Sequence, residues 1–472
     1  MRPALWLALV CAGCAPLPPA PLPEVAVADT FKEARGATSA AALPSAWWES
    51  YQDKELDRLQ QQLLANSPDL ASALARYQQA RAASDTLRAA QSPTLDASLG
   101  VQRNRQSERR PLRVLGAGSP DEYSSASLGL DLQYELDLWG RVRQRVSAGD
   151  AEAQAAQADL AAARLALQAQ LADTWFALRG LDKELALLRE TEASYVRAAE
   201  LVASRHRGGI VAGLDLARAE AQLDSTRSQL SQRRAQRAVL EHAVAALVGA
   251  NASSFAVEPR VVAATLPDVP LGQPSTLLQR RPDIAAEQQR VAAANARLGV
   301  ARAAFFPALT LGLQGGFQSS DLRRFIEAPN LFWAVGPGMV TSLLDGGRRQ
   351  AEQARAQAVL EEAGQRYRSV VLGAFRQVED QLALLADYGE AALAEQRAVA
   401  ASQRALDLAG NRYREGASSY LDVLTAQTTL LQARRSALDL ETRQLRATVQ
   451  LARALGGGWS PAHDGELRLA RE

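Results

Sequence analysis

The chain carries one sequence pattern twice, and this internal repeat restricts its fold more than any other feature. The segments "NSPDL" and "RRPDI" each precede an Ala-rich stretch that ends at another proline. Pro68 and Pro282, inside those segments, lie 214 positions apart, and so do Pro93 and Pro307 at the far ends of the two stretches. The repeat predicts two copies of one structural unit rather than two unrelated domains.

Each copy is predicted to contain a helix, a β-hairpin, a long helix and a returning helix. Proline and aspartate suit the first turn of a helix, and the second proline of each stretch ends it. Beyond the hairpins the offset becomes 207, as between Gly209 and Gly416, because the connection inside the first hairpin is longer. The predicted bounds are 56–250 for the first copy (hairpin 94–136, long helix 141–207, returning helix 214–248) and 277–457 for the second (hairpin 308–343, long helix 348–414, returning helix 421–455).

The hairpin segments alternate between apolar and polar residues. In "SLGLDLQYEL", every second residue from Leu128 to Leu136 is apolar or aromatic. This period of two indicates strands with one apolar and one polar face, and about ten residues at about 3.3 Å each span the hydrocarbon of a bilayer. Aromatic residues near the strand ends, such as Trp333, are typical of membrane interfaces. The segments therefore predict four membrane strands.

The long segments that follow the hairpins predict coiled-coil helices. The stretch 141–207 contains no proline, and at 1.5 Å per residue it reaches about 100 Å. Leu171, Leu178 and Leu185 lie seven residues apart, a spacing typical of a coiled-coil seam. The returning helix is about half as long, so the short helix that begins at Pro68 is predicted to stack end to end on it.

Four strands cannot close a barrel, and open sheet edges are not tolerated in lipid. Two chains would supply eight strands and a filled interior, whereas three would supply twelve and leave room for a lumen. Polar residues on the strands, among them Asp96, Asp131 and Gln314, favour the water-filled lumen. The predicted fold class is therefore a mixed α/β membrane protein, with a transmembrane β-barrel closed by trimerisation and continued by a long α-helical coiled-coil barrel.

The N-terminus resembles a bacterial lipoprotein signal. Arg2 precedes a short apolar core and two small residues stand before Cys14, so we expect a covalent lipid on Cys14 after removal of a signal peptide at 1–13. Cys11 occupies the position at which leucine is usual, which leaves an ordinary signal peptide as the alternative. The other predicted segments are a lipidated tether with an equatorial segment at 14–55, a Pro-containing linker at 251–276 and a tail at 458–472.

The composition argues against several classes of function. A net charge of +1 and a pI of about 7.8 do not suit a nucleic-acid partner. The three histidines, His206, His242 and His463, share no metal-ligand spacing, and the sequence contains no nucleophile elbow or phosphate loop. We therefore expect no enzyme activity, no metal and no cofactor beyond the lipid.

Several motifs together resemble the outer-membrane factor family of tripartite efflux pumps, in particular its lipoprotein branch. They are "WWESYQDKELDRLQQQLLANSPDL", "RRPDI", "FFPALTL", "LLDGGRR" and "RYREGASSYLDVLTAQ", in the family's order along nearly the whole mature chain. The resemblance implies a homotrimer in outer-membrane lipid that extends into the periplasm. It also implies a periplasmic adaptor, an inner-membrane pump of the RND type, and an exit duct that passively conducts drugs, toxic compounds or metal ions once its partners open it.

The family's gate lies at the periplasmic helix tips, and the resemblance assigns it to matching residues here. Asp422 matches the first of two aspartates, Thr425 replaces the second, and Leu421 is the candidate apolar constriction. Tyr413 and Asp215 match a hydrogen bond that tethers the closed form. The alternative for each polar residue is an ordinary helix cap. The glycines of the tip turns are Gly208, Gly209 and Gly416.

Two other functions fit the same sequence features. An exit duct of a type I protein-secretion system shares the predicted fold and differs in its pump partner. A lipid-anchored periplasmic scaffold of coiled coils would pack its hairpins on protein rather than on lipid. The forms "RRPDI" and "LDGGRR" favour small-molecule efflux over secretion, and a trimeric cylinder would exclude the scaffold.

Overall fold

The computed structural model of the protein describes residues 22–34, 43–107, 122–262 and 265–460. The long helices have the predicted bounds, and the returning helices begin and end one residue earlier than predicted. The elements within the described residues are α1 Lys54–Asn66, α2 Pro68–Ala89, β1 Thr94–Arg105, β2 Glu122–Leu136, α3 Arg141–Arg207, α4 Gly213–Leu247, α5 Leu277–Arg280, α6 Pro282–Ala303, β3 Ala308–Ser319, β4 Leu331–Val340, α7 Arg348–Arg414 and α8 Tyr420–Ala454, with short 3₁₀ turns between them.

The four strands pair antiparallel in the order β1-β2-β3-β4, so β1 and β4 are the two edges of the sheet. Residues directly opposite each other share a face, and the register aligns Leu95, Leu132, Leu313 and Val335 in one row. The predicted apolar face is therefore present in all four strands, including β4, whose alternation is the weakest in the sequence. The next two rows on this face are Ala97, Leu130, Gly315 and Trp333, then Leu99, Leu128, Phe317 and Leu331.

The two long helices, α3 and α7, have 67 residues each and reach about 100 Å at 1.5 Å per residue. Along the predicted seam of α3, Leu171 and Leu178 are fully buried and Leu185 is nearly so. The seam therefore packs as its seven-residue spacing predicts. No helix in the described part of the chain combines the length and the apolar character that crossing a bilayer requires.

The chain divides into two compact units, and each unit takes part of both sequence copies. The first unit holds the four strands. Its helices approach closely at glycine residues: a methyl group at Gly149 would overlap Leu87 of α2, and one at Gly299 would overlap Gln144 of α3. The first unit comprises 1–23, 77–156 and 287–367, and the second comprises 24–76, 157–286 and 368–472.

The second unit has an apolar core around Trp47 and Trp175, which are 1% and 0% exposed. Arg179 lies over the Trp175 ring, with its guanidinium carbon 4.2 Å from the ring centroid. The buried carboxylate of Asp182 pairs with Arg179 at 2.9 Å and with Arg237 at 2.7 Å. Both arginines also donate to backbone carbonyl groups of the linker between the two copies. These two hydrogen bonds hold the linker on the helices, and Asp182 gives each arginine a carboxylate partner.

The ends of the short helices meet in the second unit as the sequence predicts. The turn after α4 contains Gly249, with φ of 72°, and a methyl group there would overlap the carbonyl group of Asn66 at the end of α1. The turn after α8 contains Gly456, with φ of 95°, and a methyl group there would overlap the carbonyl group of Arg280. The two junctions are equivalent in the two copies, and both require glycine.

The first described residues of the chain lie against α7. In the first unit, Pro23 packs so close to Gly364 that a methyl group on this glycine would lie 3.2 Å from the proline ring. In the second unit, the N–H groups of Lys32 and Glu33 donate to the carboxylate of Glu379 at 2.8 and 3.0 Å. The N-terminal segment is therefore held on α7 by a close apolar contact and by two charge-assisted hydrogen bonds.

Candidate functional site at the helix tips

The first helix tip, between α3 and α4, is closed by a Schellman turn. Gly209 has φ of 74°, a conformation that other residues rarely adopt. Its N–H donates to the carbonyl of His206, and the N–H of Ile210 donates to that of Arg205, both at 2.9 Å. The backbone at Gly208 lies outside the left-handed region, so only Gly209 of the two predicted glycines is required by its conformation here.

The second helix tip, between α7 and α8, has the same turn 207 positions later. Gly416 has φ of 77°, and its N–H donates to the carbonyl of Tyr413 at 3.2 Å. The N–H of Ala417 donates to the carbonyl of Arg412 at 2.8 Å. The two tips therefore have equivalent backbones, and any difference between them arises from their side chains.

The three residues of the predicted constriction lie at the start of α8 and are exposed in the single chain. Leu421 is 46% exposed. Asp422 completes a capping box, because its Oδ2 accepts from the N–H and the hydroxyl of Ser419 at 3.1 and 3.2 Å. The hydroxyl of Thr425 donates to the carbonyl of Leu421 at 2.8 Å. The cap is therefore observed for Asp422, and its role in a pore stays a prediction.

The predicted tether between Tyr413 and Asp215 is not formed in this structure. The hydroxyl of Tyr413 is buried and has no hydrogen-bond partner within the described residues. Asp215 pairs with Arg218, one turn further along α4, at 3.5 Å. Tyr413 packs in an apolar cluster with Val202 and Ala219, neither of which has a side-chain acceptor to offer its hydroxyl. The local ion pair and the apolar packing replace the expected hydrogen bond.

Arg205, which the sequence patterns did not single out, links the two tips. Its Nη1 donates to the carbonyl of Tyr413 at 3.3 Å, and its guanidinium carbon lies 4.7 Å from the centroid of the Tyr413 ring. The sequence contains no signal for this contact, because Arg412 occupies the matching position in the second copy. Only the three-dimensional structure shows that Arg205, and not Arg412, contacts the other tip.

Tyr420 completes the packing of the second tip. It is 3% exposed, and its ring centroid lies 5.7 Å from that of Tyr413. Burial, and to a lesser extent the neighbouring Tyr413, Tyr195 and Asp215, raise the pKa of Tyr420 to about 12. Its phenol is therefore neutral at physiological pH, and the residue acts in the tip through packing.

Further predicted side chains lie on the polar face of the sheet in the first unit. The register aligns Asp96 with Asp131, and Asp131 with Gln314, in a single row. Two carboxylates directly opposite each other repel, and water weakens this repulsion far more than an apolar medium does. The row therefore suits a surface in contact with water and supports the predicted polar side of the sheet.

Cys14, the predicted site of lipid attachment, lies outside the described residues. Within the ranges that the structure describes, no group of three or more His, Cys, Asp or Glu side chains could hold a metal ion.

Comparisons with known proteins agree over most of the chain. The family described as outer membrane efflux protein matches residues 59–250 and 273–457. The pyoverdine export outer membrane protein OpmQ of Pseudomonas aeruginosa is 33% identical over 434 residues, which are 89% of this chain and 89% of OpmQ. The solvent efflux pump outer membrane protein SrpC of Pseudomonas putida is 32% identical over 422 residues, again 89% of each chain.

A solved structure has the same fold. The open-state crystal structure of the MtrE outer membrane channel of Neisseria gonorrhoeae aligns with a TM-score of 0.83 at 28% identity, covering 94% of this chain and 98% of that one. The predicted fold class is thereby confirmed, and the family match covers both sequence copies. The chain belongs to the outer membrane efflux protein family.

Proposed function

We propose that this chain is the outer-membrane exit duct of a tripartite efflux pump, formed by three copies that close one barrel. The observation that carries the proposal is a sheet whose two edges, β1 and β4, have 12 and 10 residues. Lipid offers no hydrogen-bond partner to the backbone groups of an open sheet edge. Pairing β4 of each copy with β1 of the next removes every edge.

Three copies fit the polar face of the sheet better than two. Eight strands give a barrel that side chains fill, whereas twelve leave a lumen. Asp96, Asp131 and Gln314 share one row on the polar face, and such a row needs water around it. The opposite face carries leucine rows, including Leu95 and Leu99, which suit hydrocarbon.

We further propose that a lipid on Cys14 anchors each copy in the same membrane. Nine positions separate Cys14 from Pro23, and an extended chain of that length reaches up to about 30 Å. Pro23 packs at Gly364, which lies about 24 Å along α7 from its first residue, Arg348. Because β4 ends at Val340, just before this helix, a lipid on Cys14 can reach the level of the strand ends.

The duct opens at the helix tips when a periplasmic adaptor and an inner-membrane pump of the RND type engage it. Leu421, Asp422 and Thr425 are exposed in the single chain, and three copies would repeat them as apolar, acidic and hydroxyl rings. An acidic ring favours cations over anions. In this proposal the energy for transport comes from the pump, and the duct conducts passively.

The cargo is a small molecule that the pump selects. OpmQ and SrpC are almost equally similar to this chain, yet one is named for pyoverdine and the other for solvents. Two relatives at nearly the same identity to this chain are thus named for different cargoes, which supports selection by the partner rather than by the duct.

Purified mature protein in detergent tests the duct. Light scattering should give the mass of three copies, and planar bilayers should show discrete channel currents. A monomer or dimer that conducts no current would contradict the duct and favour the anchored scaffold. A trimer that assembles with an adaptor but exports only a polypeptide would favour protein secretion over small-molecule efflux.

Palmitate labelling of cells tests the lipid anchor separately. The parent protein and Cys11→Ser should both incorporate label, whereas Cys14→Ser should incorporate none. The matched cysteine three positions upstream controls for any effect of removing a thiol from the signal. Label that persists in Cys14→Ser and disappears in Cys11→Ser would show that the lipid is attached to Cys11, and would contradict the proposed anchor.

A further inference from the structure

We infer that Arg205 is a positioning residue that ties the first helix tip to the second and so holds the duct closed. The inference rests on the proposed function, since a closed state has meaning only for a duct. It concerns a residue of α3 acting on α7, and therefore a contact between the two sequence copies within one chain.

Arg205 makes two contacts with the same residue of α7. Its guanidinium stacks on the Tyr413 ring at 4.7 Å, and its Nη1 donates to the Tyr413 carbonyl at 3.3 Å. That carbonyl also accepts the N–H of Gly416, which closes the tip turn. A cation at the last turn of a helix is favourable because the carbonyl groups there carry partial negative charge. Arg205 therefore acts at the point where α7 reverses into α8.

The ring that Arg205 covers is central to the packing of the tips. Tyr413 is 7% exposed and belongs to a cluster with Val202 of α3, Ala219 of α4 and Tyr420 of α8. One side chain from each of the four tip helices thus meets in this cluster. Displacing Tyr413 would separate the helices of the second copy from those of the first at the tips, and in this inference that separation is the opening movement.

The hydroxyl of Tyr413 does not make the link. It has no partner within the described residues, and Asp215 is paired with Arg218 at 3.5 Å. The connection between the tips passes instead through the face of the ring and the backbone carbonyl, and both contacts come from Arg205.

The internal repeat supplies a matched control for this contact. Arg412 occupies the equivalent position in the second copy, 207 residues later, and its carbonyl accepts the equivalent turn hydrogen bond. Its side chain is exposed and makes no hydrogen bond or ion pair within the described ranges. Removing either arginine removes the same charge from an equivalent turn, but only Arg205 reaches across to the other copy.

The test is the open probability of purified protein in planar bilayers without adaptor or pump. Arg205→Ala should raise it at least about threefold, because it removes a cation–π contact and a hydrogen bond from a charged group. Arg412→Ala should leave it at the parental level. Arg205→Lys keeps the charge but not the planar group and should give an intermediate rise. Trimer mass and helical circular dichroism, measured on each variant, exclude misfolding as the cause.

A double-mutant comparison distinguishes the contact between Arg205 and Tyr413 from a nonspecific loss of packing at the tips. Tyr413→Leu removes the ring, so adding Arg205→Ala to it should raise the open probability less than Arg205→Ala does alone. Tyr413→Phe keeps the ring and should have a smaller effect than Tyr413→Leu. Equal effects of Arg205→Ala and Arg412→Ala, or fully additive effects with Tyr413→Leu, would overturn the role of Arg205. A parent protein that never conducts would instead overturn the duct itself.

Discussion

The sheet of the first compact unit and the core of the second unit use apolar side chains in opposite ways. In the sheet, Leu99 is 74% exposed and Trp333 is 72% exposed in the single chain, whereas Trp175 and Leu178 in the core are fully buried. Burial stabilises by about 25 cal/mol per Å² of apolar surface removed from water. The core therefore stabilises the chain by itself, but the sheet gains this stabilisation only when lipid or another copy covers it.

The largest effect should come from a charge on the apolar face of the sheet. Leu99→Arg would place a cation in hydrocarbon, at a cost of about 2–4 kcal/mol per copy, and should abolish the trimer seen by light scattering. Ser98→Arg, one residue earlier on the polar face, should assemble normally. Equal assembly of both variants would show that the sheet does not face lipid, and the comparison between sheet and core would fail.

The next effect should come from the core. Trp175→Ala removes a side chain that is 0% exposed, stacks under Arg179 and donates to Asp53, and should lower the stability of the helical unit by about 3–5 kcal/mol. The melting of helical circular dichroism in detergent reports this loss. Trp333→Ala, on the exposed face of β4, should leave the helical melt within about 1 kcal/mol of the parent. Similar losses in both variants would mean that the sheet also stabilises the single chain.

A smaller difference should separate two glycines that share one backbone conformation. Gly209→Ala places an alanine in the left-handed conformation at the first tip. Apart from its chain neighbours, no atom lies within 4 Å of the added methyl group, so the variant should lose about 1–2 kcal/mol of stability through backbone strain alone. Gly249→Ala adds an overlap with the carbonyl group of Asn66 and should cost more. The helical melt measures both variants. A larger loss for Gly209→Ala would mean that the junction is looser than its packing indicates.

The last effect is absent at neutral pH and concerns the ionisation of the second tip. Burial raises the pKa of Tyr420 to about 12, above the ordinary value near 10, so the folded tip favours the neutral phenol. This contribution to stability is complete below about pH 10 and is lost as the pH rises through about 12. The absorbance of tyrosinate in Tyr420→Phe, subtracted from that of the parent, should show a single group titrating near pH 12. A difference curve centred near pH 10 would contradict the packing of this tip.

The sequence predicts the long elements well because their signals are local. The period of two marks β2, the seven-residue spacing marks α3, and prolines and glycines mark the ends, so element bounds differ from prediction by only a few residues. The end-to-end stacking of the short helices also follows from the sequence, because the lengths of the helices must match. Each of these inferences uses only the types of neighbouring residues or the number of residues in a segment.

The contacts of the tips could not be predicted in the same way. Arg205 and Arg412 are identical in type and equivalent in the repeat, and only the three-dimensional arrangement brings one of them onto Tyr413. The tether between Tyr413 and Asp215 was predicted from resemblance, and Arg218 takes its acceptor in this structure. The sequence does indicate the cap at Asp422, since a serine three residues before an aspartate is a local signal. Local chemistry was readable from the sequence, whereas contacts between the two copies were not.

The junctions at Gly249 and Gly456 restrict how such a chain can evolve. Each returning helix ends against the carbonyl group of a preceding element, so it cannot gain a residue without a steric overlap and a rotation of about 100° for everything beyond the insertion. The two copies do differ in length by seven residues inside their hairpins, where a change in length displaces neither of these junctions. The junctions therefore keep the helix lengths constant. A duct of constant length could remain compatible with partners whose sequences change.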